Sequence, residues 1–111
     1  MQINVTKENG IVIVAVEGEV DVETSPQLRE RFDKHLAEGE HSYVIDMARV
    51  EFMDSSGLAA FVRLFKRVRI GKGDVRLCGL RPEVLKIFEL TRLNRVFDIF
   101  ETRDEAVDSF R

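Results

Sequence analysis

Short apolar runs rich in β-branched residues recur along the chain and predict strands. The predicted strands cover residues 2–6, 11–16, 43–47, 74–79 and 96–100. The first two are joined through Asn9-Gly10, a dipeptide typical of tight hairpin turns. We therefore expect them to pair antiparallel.

Segments with helical spacing of apolar residues separate or follow these strands. The first predicted helix opens at Thr24-Ser25-Pro26-Gln27, where Thr24 and Gln27 have the spacing of a capping box, and stops at Gly39. The second runs from Gly57 to about Ile70. Its predicted inner face carries Leu58, Phe61, Val62, Phe65 and Val68, and its outer face carries Arg63, Lys66, Arg67 and Arg69.

Two further helices are predicted in the last third of the chain. One starts at Pro82, because proline is favoured in a first helical turn. The other follows Thr102, which forms a second capping-box spacing with Glu105. After the hairpin, strands and helices alternate, which is typical of parallel strands joined by crossover helices.

We therefore predict an α/β fold, with a mixed and mostly parallel sheet of about five strands and about four helices, in one domain over residues 1–111. Ligand and partner sites in such sheets form where strands hand over to helices. That rule directs attention to the loops around residues 18–25 and 48–57.

Composition and charge narrow the range of functions. The 111 residues are 44% apolar and carry 17 basic and 20 acidic side chains, for a net charge of -3. A net negative charge disfavours a dedicated nucleic-acid binder. Because basic side chains cluster in residues 63–76, nucleic-acid binding is kept as the third-ranked alternative. No apolar run approaches the roughly 20 residues that cross a bilayer, and no secretory leader is evident. We predict a cytoplasmic protein that binds neither nucleic acid nor membrane.

The sequence shows no recognisable catalytic or metal-binding arrangement. The two histidines, His35 and His41, flank Gly39 and are predicted to be surface residues. Gly71-Lys72-Gly73 lacks the remainder of a phosphate-binding loop. The single cysteine, Cys78, lies in an apolar run and is predicted to be buried and unreactive. We predict that the protein is not an enzyme and has no cofactor or metal.

One polar segment, Asp54-Ser55-Ser56-Gly57, stands where the third strand gives way to the second helix. A helix N-terminus favours negative charge by about 0.3–1 kcal/mol, so a phosphate added there would not disrupt the fold. From the spacing alone, a simple capping role for Asp54 or Ser55 is the favoured interpretation. Ser56 is predicted to bond backbone N–H groups of the first turn.

The nine residues from Val50 to Leu58, after the strand Val44-Ile45-Asp46-Met47, resemble the signature of the anti-sigma-factor antagonists of the STAS domain family. Gly18-Glu19-Val20-Asp21 is similar to the second recurring element of that family. The resemblance covers nearly the whole chain. It implies that Ser55 is phosphorylated by a partner that is both a serine kinase and an anti-sigma factor, and that a PP2C-type phosphatase removes the phosphate.

The resemblance also implies a binding surface for the partner. Asp21, Asp54, Ser56 and Gly57 match the motif, and Arg63 lies on the predicted outer face of the second helix. Gly57 either lets another backbone or a kinase nucleotide approach closely, or is merely tolerated, and these two interpretations stay open. The alternative function is a STAS module of another signalling complex, with a scaffold or a different kinase as partner and no sigma factor.

Overall fold

The computed structural model describes residues 1–111 and contains a five-stranded sheet in the order β1-β2-β3-β4-β5. The first pair of strands is antiparallel and the other pairs are parallel, which confirms the mixed and mostly parallel α/β fold. The strands are Gln2–Glu8 (β1), Ile11–Val20 (β2), Ser42–Met53 (β3), Asp74–Cys78 (β4) and Asp98–Phe100 (β5). The helices are Ser25–Ala37 (α1), Ser55–Ile70 (α2), Pro82–Leu90 (α3) and Arg103–Asp108 (α4), with a short 3-10 turn at Leu93–Arg95.

The two faces of the sheet form separate cores. The larger core lies under α1, α2 and α3, and the smaller one lies under α4. Alternation along β2 decides which core each side chain enters, because successive side chains of a strand point to opposite faces. Val12 and Val14 pack into the larger core, whereas Ile11 and Ile13 pack into the smaller one.

The central strands are longer than their sequence patterns predicted. β2 continues to Val20 and β3 continues to Met53, with register shifts where the two strands pair near their ends. Both terminal residues are buried. The extension was missed because exposed polar residues interrupt the apolar run, and it carries both strand ends to the same edge of the sheet.

The predicted last strand begins too early. Phe97 lies before β5 and is buried against Phe65 and Phe88, with ring centroids 5.2 and 5.9 Å away. Aromatic packing in the larger core therefore replaces strand pairing at this position.

The capping box predicted at Thr24 is wrong, whereas that of α4 is confirmed. The Thr24 hydroxyl accepts a hydrogen bond from the N–H of Asp21 (2.9 Å) and donates one to the carbonyl of Glu19 (2.8 Å). This threonine thus closes the loop before α1 instead of capping the helix. Thr102 and Glu105 form both bonds of their box.

Among the cysteine and the two histidines singled out in the sequence, His35 alone departs from the predicted burial. Cys78 is buried, and this burial raises the pKa of its thiol to about 12, which disfavours the reactive thiolate. His41 is exposed, but the His35 side chain is only 12% exposed and packs beside Glu38, so its prediction as a surface residue was wrong. None of the helices has the length and apolar content that a membrane span requires.

Candidate functional site

The two loops singled out in the sequence meet at one edge of the sheet. Val20 and Met53 are paired at the ends of parallel strands β2 and β3. After Val20 the chain enters the loop that precedes α1, and after Met53 it enters the first turn of α2. We call the surface formed by residues 19–24 and 51–57 the switch edge.

Asp54 holds the two halves of the switch edge together. One carboxylate oxygen, Oδ1, accepts hydrogen bonds from the N–H groups of Ser56 (2.9 Å) and Gly57 (3.2 Å). The other, Oδ2, accepts one from the N–H of Val22 across the loop (3.2 Å). The N–H of Asp54 donates to the carbonyl of Val20 (3.2 Å). The capping task predicted for Ser56 is therefore carried out by Asp54, whose side chain has the N-cap geometry.

Gly57 is buried where the first turn of α2 rests on the end of β2. A Cβ atom at this position would lie 2.7 Å from the carbonyl oxygen of Val20 and 2.8 Å from its Cγ1 atom. It would also lie 3.0 Å from Cγ of Met53. The backbone that approaches Gly57 closely is thus that of the protein's own second strand, and the glycine is required by this packing.

Ser55 is the first residue of α2, and its side chain is exposed. The Ser55 hydroxyl is not needed as a cap, because the Asp54 carboxylate accepts the hydrogen bonds from the N–H groups of Ser56 and Gly57. Ser56 is half-buried and faces the space between α1 and α2.

Asp21 shapes the opposite side of the switch edge. Its Oδ1 atom accepts hydrogen bonds from the N–H groups of Thr24 (3.0 Å) and Glu23 (2.9 Å). The bond from Thr24 is the main cause that lowers the pKa of Asp21, so this carboxylate stays ionised below the usual range of an aspartate. The switch edge carries three further carboxylates that are exposed: Glu19, Glu23 and Glu51.

Arg63 lies about two helical turns beyond Ser56 and is not part of the switch edge. Its guanidinium contacts Oδ1 of Asp33 on α1 at 2.6 Å. The structure thus brings Asp21, Asp54, Ser56 and Gly57 together with Ser55, and places Arg63 in the adjacent groove between α1 and α2.

Two apolar residues on the switch edge were missed by the sequence reasoning. Val22 is 67% exposed and Phe52 is 48% exposed. Each stands beside acidic residues in a loop or strand end, and an isolated apolar residue in such surroundings is a signal that could have been noticed. Single exposed apolar side chains are common on protein surfaces, so Val22 and Phe52 indicate a binding surface only together with the polar groups beside them.

Comparison with known proteins identifies the family. The STAS domain family model matches residues 2–106. The chain belongs to the STAS domain family. This STAS domain is 33% identical over 99 residues to an anti-sigma-B factor antagonist of Bacillus subtilis, a match that covers 89% of the chain and 90% of the relative.

Solved structures show the same fold. An anti-sigma factor antagonist from Mycobacterium paratuberculosis is 26% identical, with a TM-score of 0.90 over 97% of this STAS domain and 92% of that chain. The phosphorylated form of the Bacillus cell fate determinant SpoIIAA is 22% identical, with a TM-score of 0.80 over 99% of this domain and 100% of that chain. The second likeness concerns the fold alone.

Removal of the Asp54 carboxylate is expected to destabilise the protein. Asp54→Ala should lower the free energy of unfolding by about 1–2 kcal/mol, because the first turn of α2 loses its cap. Asp54→Asn keeps one oxygen acceptor and should retain most of that stability. Urea unfolding monitored by circular dichroism measures both, with Glu51→Ala as a control for loss of an exposed acid. Equal stability of the alanine variant and this control would contradict the capping role.

Proposed function

We propose that this protein is an anti-sigma factor antagonist whose binding is regulated by phosphorylation of Ser55. In the unphosphorylated form it binds an anti-sigma factor that is also a serine kinase, and the sigma factor is released. The kinase phosphorylates Ser55 and thereby ends the interaction, and a PP2C-type phosphatase restores it. The names of the STAS relatives support the general function.

The observation that carries the proposal is the exposed hydroxyl of Ser55 at the first position of α2. A kinase can reach this hydroxyl without unfolding the helix. A phosphate bound there would lie at the N-terminus of α2, where the helix dipole favours negative charge. The modification is therefore compatible with the folded state.

The acidic surroundings explain how a phosphate could end binding. Asp54 and Glu51 are close to Ser55 in sequence, and Asp21 lies across the switch edge. A phosphate adds about -1.5 to -2 charges to this cluster at neutral pH. A docked partner would have to desolvate the enlarged cluster, so repulsion and bulk can change partner choice without refolding.

Phosphorylation of the purified protein tests the assignment of Ser55. With the cognate anti-sigma factor and ATP, intact-mass measurement should show one added phosphate, and peptide mapping should place it on Ser55. Ser55→Ala should remain unmodified, whereas Ser56→Ala should accept one phosphate as a matched control. Full phosphate incorporation into Ser55→Ala would overturn the assignment. Binding to a kinase that never displaces a sigma factor would favour the alternative of another signalling complex.

A further inference from the structure

A groove runs between α1 and α2 next to the switch edge. Its part closest to Ser55 is a hollow of about 260 Å³. We call it the arginine hollow, because the ionisable residues that line it are two arginines, Arg29 and Arg63. The rest of the lining is formed by small or apolar residues: Val22, Ser25, Ser56, Ala59 and Ala60.

The arginine hollow is open because the side chains that line it near the N-termini of α1 and α2 are small. Ser25 and Ser56 contribute one hydroxymethyl group each, and Ala59 contributes a methyl group. Deeper in the same contact, large residues hold the helices together: the rings of Phe32 and Phe61 are 6.0 Å apart, centroid to centroid. The two helices are therefore packed together below the hollow.

The protein balances the charge of the hollow only in part, because Glu30 and Asp33 line the continuation of the groove beside Arg29 and Arg63. Arg63 has one carboxylate partner, Asp33, and its side chain is still 41% exposed. Arg29 is exposed and has no carboxylate within 4.0 Å, the limit for an ion pair. Because a guanidinium carries five donors in a planar fork, Arg29 retains its full capacity to bind an oxygen anion.

The surface around Ser55 thus has two signs of charge. The switch edge is acidic, with Glu19, Glu23 and Glu51 exposed. The arginine hollow is basic and begins at Ser56 and Val22, which belong to the switch edge. A partner that covers both needs positive charge over the first and negative charge over the second, and such an arrangement sets the orientation of docking.

We propose that the arginine hollow receives a carboxylate side chain, from an Asp or Glu, of the protein that binds at Ser55. The Arg29 guanidinium and the Ser56 hydroxyl donate hydrogen bonds to it, and Arg63 adds positive charge. Exposed Val22 at the rim supplies the apolar contact that a protein surface can match. This inference rests on the proposed function, since it assigns the chemistry of the partner at the same site.

A charge reversal at Arg29 tests the inference. The affinity of unphosphorylated protein for the purified cognate anti-sigma factor is measured by titration calorimetry for the unsubstituted chain, Arg29→Glu and Lys86→Glu. Lys86 is an exposed cation on α3 and changes the net charge by the same amount. We expect Arg29→Glu to weaken binding by about tenfold or more, and Lys86→Glu to change it by less than about twofold. Thermal unfolding checks that both variants are folded.

Charge-reversing substitutions in the anti-sigma factor identify the carboxylate that enters the hollow. Each exposed acidic residue of the anti-sigma factor is replaced by arginine, and one such variant should bind Arg29→Glu better than it binds the unsubstituted chain. This reversal of preference is not produced by a general loss of stability. If no charge swap restores binding, the carboxylate assignment is overturned.

The outcomes separate this inference from the proposed function. Absence of binding between the unsubstituted chain and the anti-sigma factor would overturn both. Normal binding with equal affinities for Arg29→Glu and Lys86→Glu would overturn the arginine hollow alone. Loss of binding in Arg29→Glu, together with a Ser55 that is never phosphorylated, would support the hollow and overturn the phosphorylation switch.

Discussion

Replacement of Gly57 with alanine is expected to lower the free energy of unfolding by about 2 kcal/mol. The added Cβ atom would lie 2.7 Å from the carbonyl oxygen of Val20, which is a backbone atom of a central strand and cannot rotate away. Either α2 must move outward at its N-terminus or β2 must shift. Both movements would also disturb the hydrogen bonds from the N–H of Asp54 to Val20 and from the N–H of Val22 to Asp54.

The direction of the change in the free energy of unfolding distinguishes close packing at Gly57 from helix propensity. In an unconstrained helix, a change from glycine to alanine stabilises by about 1 kcal/mol, because alanine has the higher helix propensity. Urea unfolding of Gly57→Ala should show a loss, and Ser55→Ala, at an exposed position two residues earlier, should show little change. Unchanged or increased stability of Gly57→Ala would contradict the close packing of α2 on β2.

A phosphate on Ser55 is expected to weaken binding of the cognate anti-sigma factor by at least tenfold, which corresponds to about 1.4 kcal/mol. The phosphate would enlarge an acidic cluster that the partner must cover, and its volume would hinder close contact with the exposed Val22 and Phe52. The protein itself should keep its fold, since the added charge lies at the N-terminus of α2. Calorimetry with purified phosphorylated and unphosphorylated protein measures the difference.

A matched pair of variants separates the charge of the phosphate from its bulk. Ser55→Asp adds a charge, and Ser55→Asn adds a group of nearly the same size without one. If repulsion dominates, Ser55→Asp should bind more weakly than Ser55→Asn, and the difference should shrink as salt is added. Equal weakening of both would assign the effect to bulk, and full affinity of the phosphorylated protein would contradict the switch.

Local sequence patterns predicted the elements and the place of the site because the forces involved are local. Hydrophobic alternation marks β1, a continuous apolar run marks the first part of β2, and helical spacing marks α2. Asp54 could be proposed as a cap because an N-cap bonds N–H groups two or three residues ahead. The same short range explains the successful capping box at Thr102.

The wrong predictions at Thr24 and at the end of β3 have different causes. Thr24 and Gln27 have the spacing of a capping box, but the hydroxyl of Thr24 is bonded to Glu19 and Asp21 in the preceding loop. β3 extends beyond its apolar run because its backbone continues to pair with β2 as far as Val20. In β3 the deciding contact is with another strand, whereas at Thr24 it is with the loop three to five residues earlier, which competes with the capping box over the same short range.

By itself, the sequence determined that this protein has a mixed α/β sheet and that its Asp-Ser-Ser-Gly segment stands at the start of a helix. The tertiary structure alone decided that Gly57 rests on Val20, that the N–H of Val22 reaches Asp54, and that Arg29 joins Arg63 in one hollow. These contacts join residues about 30 or more positions apart, at distances set by helix packing and strand register. No local pattern contains that information, because it arises only when α1 and α2 are packed on the same face of the sheet.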